Sequence, residues 1–304
     1  MDKVRIGIPR SIYYYHYKDL WTYFFEALDC EVIESPSTNK QILNDGIKYT
    51  NDEMCLSLKI YMGHVNYLKD KCDYILVPRI DNYGLDNQTC TNFLSLYDIV
   101  HNTFNIKILN YNIDVEHGNT ELHGLIKIGK ELGKKRFQII KAYQYAKIKS
   151  NKILKKEILT NYSKLSSNKI KILLIGHPYN IYDDYMGKPI IKYLENLNVE
   201  IIYADKFDAT VTNKLAKQLS KTLYWKYSKE LIGAVKVVEN QIDGLIFVSS
   251  FPCGPDSLVN ELVIRKITLP YLNLIIDDID SLTGIETRLE SFIDILEEKK
   301  QSIN

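Results

Sequence analysis

Short apolar runs alternate along this chain with longer stretches in which apolar residues recur at helical spacing. Residues 4–9 (VRIGIP) read as a buried strand closed by Pro9, and a polar, aromatic loop follows over residues 10–17. Leu20, Trp21, Phe24, Phe25 and Leu28 then mark a helix, and residues 30–33 the next strand. Thr50 and Glu53 have the spacing of a capping box, which predicts a helix opening there and carrying Leu56, Ile60 and Val65. Cys55 falls in its first turn or just beyond. Residues 73–78 (DYILVP) read as a third strand ending at Pro78, residues 79–91 as a loop, and residues 106–111 as a fourth strand. From about 125 to 167 the pattern is helical, lysine-rich and free of proline, with apolar positions too scattered for one stripe. One or two partly exposed helices bridging two lobes fit it.

The pattern then starts again. Residues 170–175 form a strand, GHPYN (176–180) a turn, Ile190, Ile191 and Leu194 a helix, and residues 199–203 a strand. The order of strand, proline-containing turn, tyrosine-rich loop, helix and strand repeats that of residues 4–33. Later come a helix over 225–238, a strand over 242–248, a helix after residue 258, a strand over 271–276 and a closing helix over 287–298. Strands alternating with helices predict parallel sheets. The fold class expected is therefore α/β, with two Rossmann-like lobes, a helical linker and a cleft between the lobes. The expected domains are residues 1–125, 126–168 and 169–304.

FPCGPDS (251–257) is the most unusual stretch. It joins an apolar strand to a helix, so Cys253 falls at the carboxyl end of a strand and beside a helix N-terminus. Open α/β sheets bind ligands at that edge, and the helix dipole there favours a thiolate. Gly254 lets backbone approach closely, and Pro255 suits a first helical turn.

Of the five cysteines, Cys30 and Cys72 adjoin apolar strands and read as small core residues. Cys55, Cys90 and Cys253 each lie at or beside a loop at the ligand-binding edge. Three thiolates from separate segments suit zinc or an iron–sulfur cluster, and the absence of a Cys-x-x-Cys pair speaks against a zinc ribbon. Three ligands would leave one metal position to water, substrate or a partner; complete coordination would need a fourth ligand such as His177.

Composition narrows the classes. With 45% hydrophobic and 25% charged residues and a net charge of +1, nothing calls for nucleic acid or a membrane surface as partner. No apolar run approaches transmembrane length and no signal peptide is apparent, so a cytoplasmic location is expected.

Several segments resemble the 2-hydroxyacyl-CoA dehydratase superfamily, in its activase-related branch. They are Asp52, Glu53, Met54 and Cys55 with Lys59, Gly63, His64 and Val65; residues 73–79 with Cys90, Phe93 and Asp98; GHPY (176–179) with Ile181, Tyr182 and Asp183; SFPCGPDS (250–257); and Thr287, Arg288, Glu290, Phe292, Ile293 and Asp294. The resemblance implies a [4Fe-4S] cluster as cofactor, with Cys55, Cys90 and Cys253 as its ligands. It implies low-potential electron transfer, or radical dehydration or reduction, driven by a separate ATP-hydrolysing activator protein. An acyl-CoA substrate and a homo- or hetero-dimer would go with that role. Arg10, Lys59, Arg79, His177, Gly254, Asp256 and Ser257 are candidate cleft-lining residues, the two arginines for an anionic ligand.

Two departures bear on activity. Thr91 and Asn92 stand where the family has Pro-Lys, and DDIDSL (277–282) stands where it has Asp-Glu-His-Thr-Gly-Glu. They leave open whether the chain is a lyase, a reductase component or a non-catalytic cluster carrier. A metal-free bilobal small-molecule-binding protein is the remaining alternative.

Overall fold

A computed structural model describes residues 3–278 and 282–303 of the chain. It divides into two compact units. The first comprises residues 1–154 with the short return segment 224–226, and the second residues 155–223 and 227–304.

The first lobe runs β1 (Arg5–Ile8), α1 (Tyr14–Ala27), β2 (Glu31–Glu34), α2 (Lys40–Ile47), α3 (Leu56–Leu68), β3 (Tyr74–Asn82), α4 (Thr91–Leu94), α5 (Leu96–Thr103), β4 (Ile108–Asp114), α6 (Glu121–Glu131) and α7 (Arg136–Ser163), whose last turns belong to the second lobe. The four strands are parallel, in the order β2-β1-β3-β4. The second lobe runs β5 (Lys171–Ile175), α8 (Pro178–Ile181), α9 (Gly187–Asn196), β6 (Glu200–Tyr203), α10 (Ala209–Leu219), α11 (Lys226–Val238), β7 (Gly244–Ser250), α12 (Gly254–Ile264), β8 (Tyr271–Ile276) and α13 (Leu282–Ile303). Its strands are parallel in the corresponding order, β6-β5-β7-β8. Each lobe is thus a Rossmann-like half, and the repeat read from sequence is a repeat of topology.

Burial explains why these segments form. Every residue of β7 is buried, as are Leu76, Val77, Leu173 and Leu174 on the other central strands, because helices flank parallel sheets on both faces. In α1 the buried Tyr14, Tyr17, Leu20, Trp21, Phe24 and Phe25 recur every three or four residues. Burying each such side chain stabilises the fold by about 1.5–3 kcal/mol. In each lobe the chain leaves the first strand for one side of the sheet and crosses back to the other for the third. The loops after β1 and β3, and after β5 and β7, therefore flank a topological switch point, where such sheets bind ligands.

Three local expectations are corrected. Residues 10–17 are not all loop: α1 begins at Tyr14, whose neighbour Tyr17 stacks on Trp21 at 5.3 Å and so belongs to the core face. Thr50 does not open α3. Its hydroxyl donates to Gly46 O and Ile47 O and closes α2, and α3 opens at Cys55. Nor does Pro78 end β3, which continues through Asn82 and takes Arg79 into the sheet. Ile75 N–H donates toward β4, so alternation points the Pro78 nitrogen toward β1, where pairing has already stopped at Ile75; its missing donor costs no ladder bond. Finally, α2 and α10 escaped the apolar pattern. Each is announced instead by an N-cap: Asn39 accepts from the amides of Gln41 and Ile42, and Asp208 from those of Thr210 and Val211.

Among the described residues no helix is long and apolar enough to cross a membrane. Of DDIDSL, residues 279–281 lie outside the described residues.

Candidate cysteine sites at the strand carboxyl ends

In the first lobe the turn after β1 is tied to its neighbours through Arg10 N–H, which donates to Ser35 Oγ at 2.8 Å, and Ser11 Oγ, which donates to Ser57 O at 3.4 Å in the first turn of α3. Cys55 is the N-cap of that helix, with extended backbone and no side-chain capping bond. Lys59, one turn on, is buried, and its amide donates to Cys55 O at 3.1 Å. Cys90 is likewise an uncapping N-cap residue, of α4. Its loop is pinned from two sides: Thr89 N–H donates to Asp81 O at 2.9 Å, and Gln88 exchanges backbone bonds with Tyr224 and Lys226 of the return segment. Tyr13 lies beneath, edge-on to Phe93 at 5.4 Å, its phenol pushed well up by burial. The Arg79 guanidinium is paired with the Asp98 carboxylate and lies 5.4 Å from the Tyr97 ring. Its charge is therefore already answered within the lobe.

In the second lobe β5 is followed by Gly176, where a Cβ would lie 2.5 Å from Val248 O of β7; only glycine lets the chain pass so close to β7. The next residue, His177, is buried. Its Nε2 lies 3.0 Å from Asp256 Oδ1, its ring stacks on Tyr179 at 5.1 Å and 8°, and Tyr227 meets it edge-on at 6.5 Å. Asp256 is in the first turn of α12, and its buried Oδ2 has no hydrogen-bond partner among the described residues. Cys253 is the N-cap of α12, again without a side-chain capping bond. Ser257 Oγ donates to Cys253 O at 2.8 Å. A Cβ at Gly254 would meet nothing within 4 Å, so the helix opens onto free space.

Cys30 and Cys72 are placed differently. Cys30 is buried and its thiol is pushed up by burial. Cys72 is half-buried; its Sγ donates to Leu68 O at 3.3 Å and packs where a Gly7 Cβ would be, and burial raises it to about 11. At pH 8 only about one Cys72 thiol in a thousand is then ionised. Iodoacetamide labelling followed by peptide mass spectrometry is expected to leave Cys72 unmodified while exposed thiols react, with labelling rising only above about pH 10. Rapid labelling at pH 8 would contradict this placement.

Sulfur donors at three N-caps, none used for capping, suit iron or zinc by ligand type. Cys55 and Cys90 belong to one lobe and Cys253 to the other. Among the described residues no three His, Cys, Asp or Glu side chains form a group that could hold a metal ion. The pairing of His177 with Asp256 was not foreseen from sequence. Only the neighbouring of β5 and β7, and hence of the loops that follow them, brings these residues together.

The model of one family, described as the CoA enzyme activase uncharacterised domain (DUF2229), matches residues 5–207, two thirds of the chain. The chain belongs to that family. A CoA enzyme activase domain fits the resemblance to the activase-related proteins at a coarse level. The match includes Cys55, Cys90 and His177 and ends before Cys253. A search of curated proteins found no match. Among solved structures the chain is similar to ZnuA (13% identity, 97% of this chain and 99% of that one, TM-score 0.28). It is also similar to the laminin-binding adhesin Lmb of Streptococcus agalactiae (12%, all of both chains, 0.28) and to a sugar transporter of Clostridium phytofermentans (12%, 91% and 97%, 0.22). Similarity at this level carries nothing about function.

Proposed function

We propose that this CoA enzyme activase-family chain carries a [4Fe-4S] cluster on the thiolates of Cys55, Cys90 and Cys253. In this reading it takes low-potential electrons from a separate ATP-hydrolysing activator, and an acyl-CoA thioester is the class of substrate for a dehydration or reduction. The observation that carries the reading is the shared place of these three cysteines. Each is the N-cap of a helix and makes no side-chain capping bond; Cys90 and Cys253 follow the strands β3 and β7, and Cys55 follows α2. The cluster, when bound, supplies one-electron chemistry at low potential.

The protein's part is to hold and orient. The N-termini of α3 and α12 favour the thiolate form of Cys55 and Cys253. Lys59 brings a positive charge one turn along α3 from Cys55. Backbone bonds from Gln88 N–H to Tyr224 O and from Lys226 N–H to Gln88 O tie the Cys90 loop to the return segment. Gly254 leaves room at the mouth of α12.

The test is anaerobic reconstitution with iron and sulfide, followed by electron paramagnetic resonance of the reduced protein. A reduced-cluster signal, produced also by a cognate activator only when ATP is present, is the expected result. A protein that takes up no cluster, yet is stabilised by a small molecule, would instead be the metal-free binding module. That second reading is favoured by the lack of a gathered ligand group among the described residues.

A further inference from the structure

We infer that the outer face of α7 docks the acidic face of α13 from a second copy of this chain. The inference concerns assembly and does not rest on the cluster reading above.

The apolar positions of α7 that form no single stripe in the sequence fall on two opposite faces. Ile139, Ala142 and Ala146, three or four residues apart, are buried and hold the helix to its lobe. Phe137, Lys141, Tyr145, Ile148 and Lys152 follow one another at steps of four, four, three and four residues, so they share a second face. Phe137 is 66% exposed, Tyr145 46% and Ile148 70%. Apolar side chains lined up on one outer face, rather than scattered singly, mark a contact surface.

The charge of that face selects the partner. Lys141 and Lys152 are exposed, and among the described residues neither has an ion-pair partner. A helix that lies in a membrane surface keeps its lysines on the face opposite the apolar one. Here lysines and apolar residues alternate along one line. A second α7 would set lysine against lysine. A helix that carries both carboxylates and an exposed apolar residue meets both demands.

This chain has such a helix. In α13 Leu289, Phe292, Ile293 and Leu296 are buried, while Asp294, Ile295 and Glu298 are exposed on the other side. Ile295 is 55% exposed. Asp294 and Glu298 have no ion-pair partner among the described residues. An exposed isoleucine beside carboxylates on α13 thus answers an exposed isoleucine beside lysines on α7. Residues 137–152 lie within the first lobe and α13 within the second, and each chain offers both halves of the contact.

Analytical ultracentrifugation of the purified protein at low and high salt is the test. Reversible self-association that weakens as salt rises is expected. Two charge-reversed proteins sharpen it: Lys141→Glu with Lys152→Glu, and Asp294→Lys with Glu298→Lys. Each alone is expected to self-associate about tenfold or more weakly, because like charges then face each other. An equimolar mixture of the two is expected to associate again, since the altered face of each matches the altered face of the other. Misfolded chains would not rescue one another in this way. Wild-type protein that stays monomeric overturns the inference, and binding of that monomer to anionic phospholipid vesicles would assign the α7 face to a membrane instead. Self-association indifferent to both reversals overturns it, as does a mixture that stays apart. If the reversed proteins do not fold, Ile148→Gln and Ile295→Gln take their place: each is expected to weaken association, and no change in either overturns the inference.

Discussion

Gly63→Ala and Gly46→Ala are each expected to lower the stability of the protein by about 3 kcal/mol or more. Helices α2 and α3 cross at these two glycines. A Cβ at Gly46 would lie 1.8 Å from Lys59 O and 2.8 Å from Gly63 N; a Cβ at Gly63 would lie 1.9 Å from Ile42 O. These neighbours are backbone atoms, which cannot rotate away as a side-chain tip would. Alanine is the better helix former by about 1 kcal/mol, but separating two packed helices outweighs that gain. Urea denaturation of the single and double variants is the measurement. The double variant should cost less than the sum, because either substitution already opens the same crossing. Wild-type stability in Gly63→Ala would mean that the helices are not packed at this distance. The crossing also bears on the site, since α3 carries Cys55 at its start and Lys59 in its second turn.

Cysteine replacements are expected to divide sharply. Cys55→Ala, Cys90→Ala and Cys253→Ala should each reduce iron in the reconstituted protein from about four atoms per chain to near none, or to a labile remnant. Cys30→Ala and Cys72→Ala should leave the iron unchanged and cost about 1 kcal/mol of stability, the scale of one small buried group. Their thiols are raised by burial, and that of Cys72 also bonds to Leu68 O. A thiol that resists ionisation binds metal poorly, because the thiolate is the ligand. Equal iron loss across all five variants would show that the division by N-cap position is wrong.

The sequence made the sheet class and the doubling legible for a physical reason. A central strand of a parallel sheet is buried on both faces and so appears as an unbroken apolar run, as β5 and β7 do. What hid was local. Tyr14 and Tyr17 give no helix signal because tyrosine counts as half-polar in an apolar pattern, whereas both residues are buried in the core. Thr50 and Glu53 had the right spacing for a cap, but a threonine hydroxyl can equally donate backward to the helix it follows, and here it does. Cys55, Cys90 and Cys253 could be set apart from Cys30 and Cys72 because loop and helix-start signals surround them. The bond between His177 and Asp256 could not be read, because it depends on which strands are neighbours and on side-chain direction, neither of which leaves a periodic trace.

Iron and acid-labile sulfide, counted per chain after anaerobic purification and reconstitution, test the central claim most directly. The account predicts about four of each in the wild-type protein, and near none once Cys253 is replaced by alanine. Wild-type protein that holds no more iron than the Cys253→Ala variant, under conditions where both are folded, would contradict it.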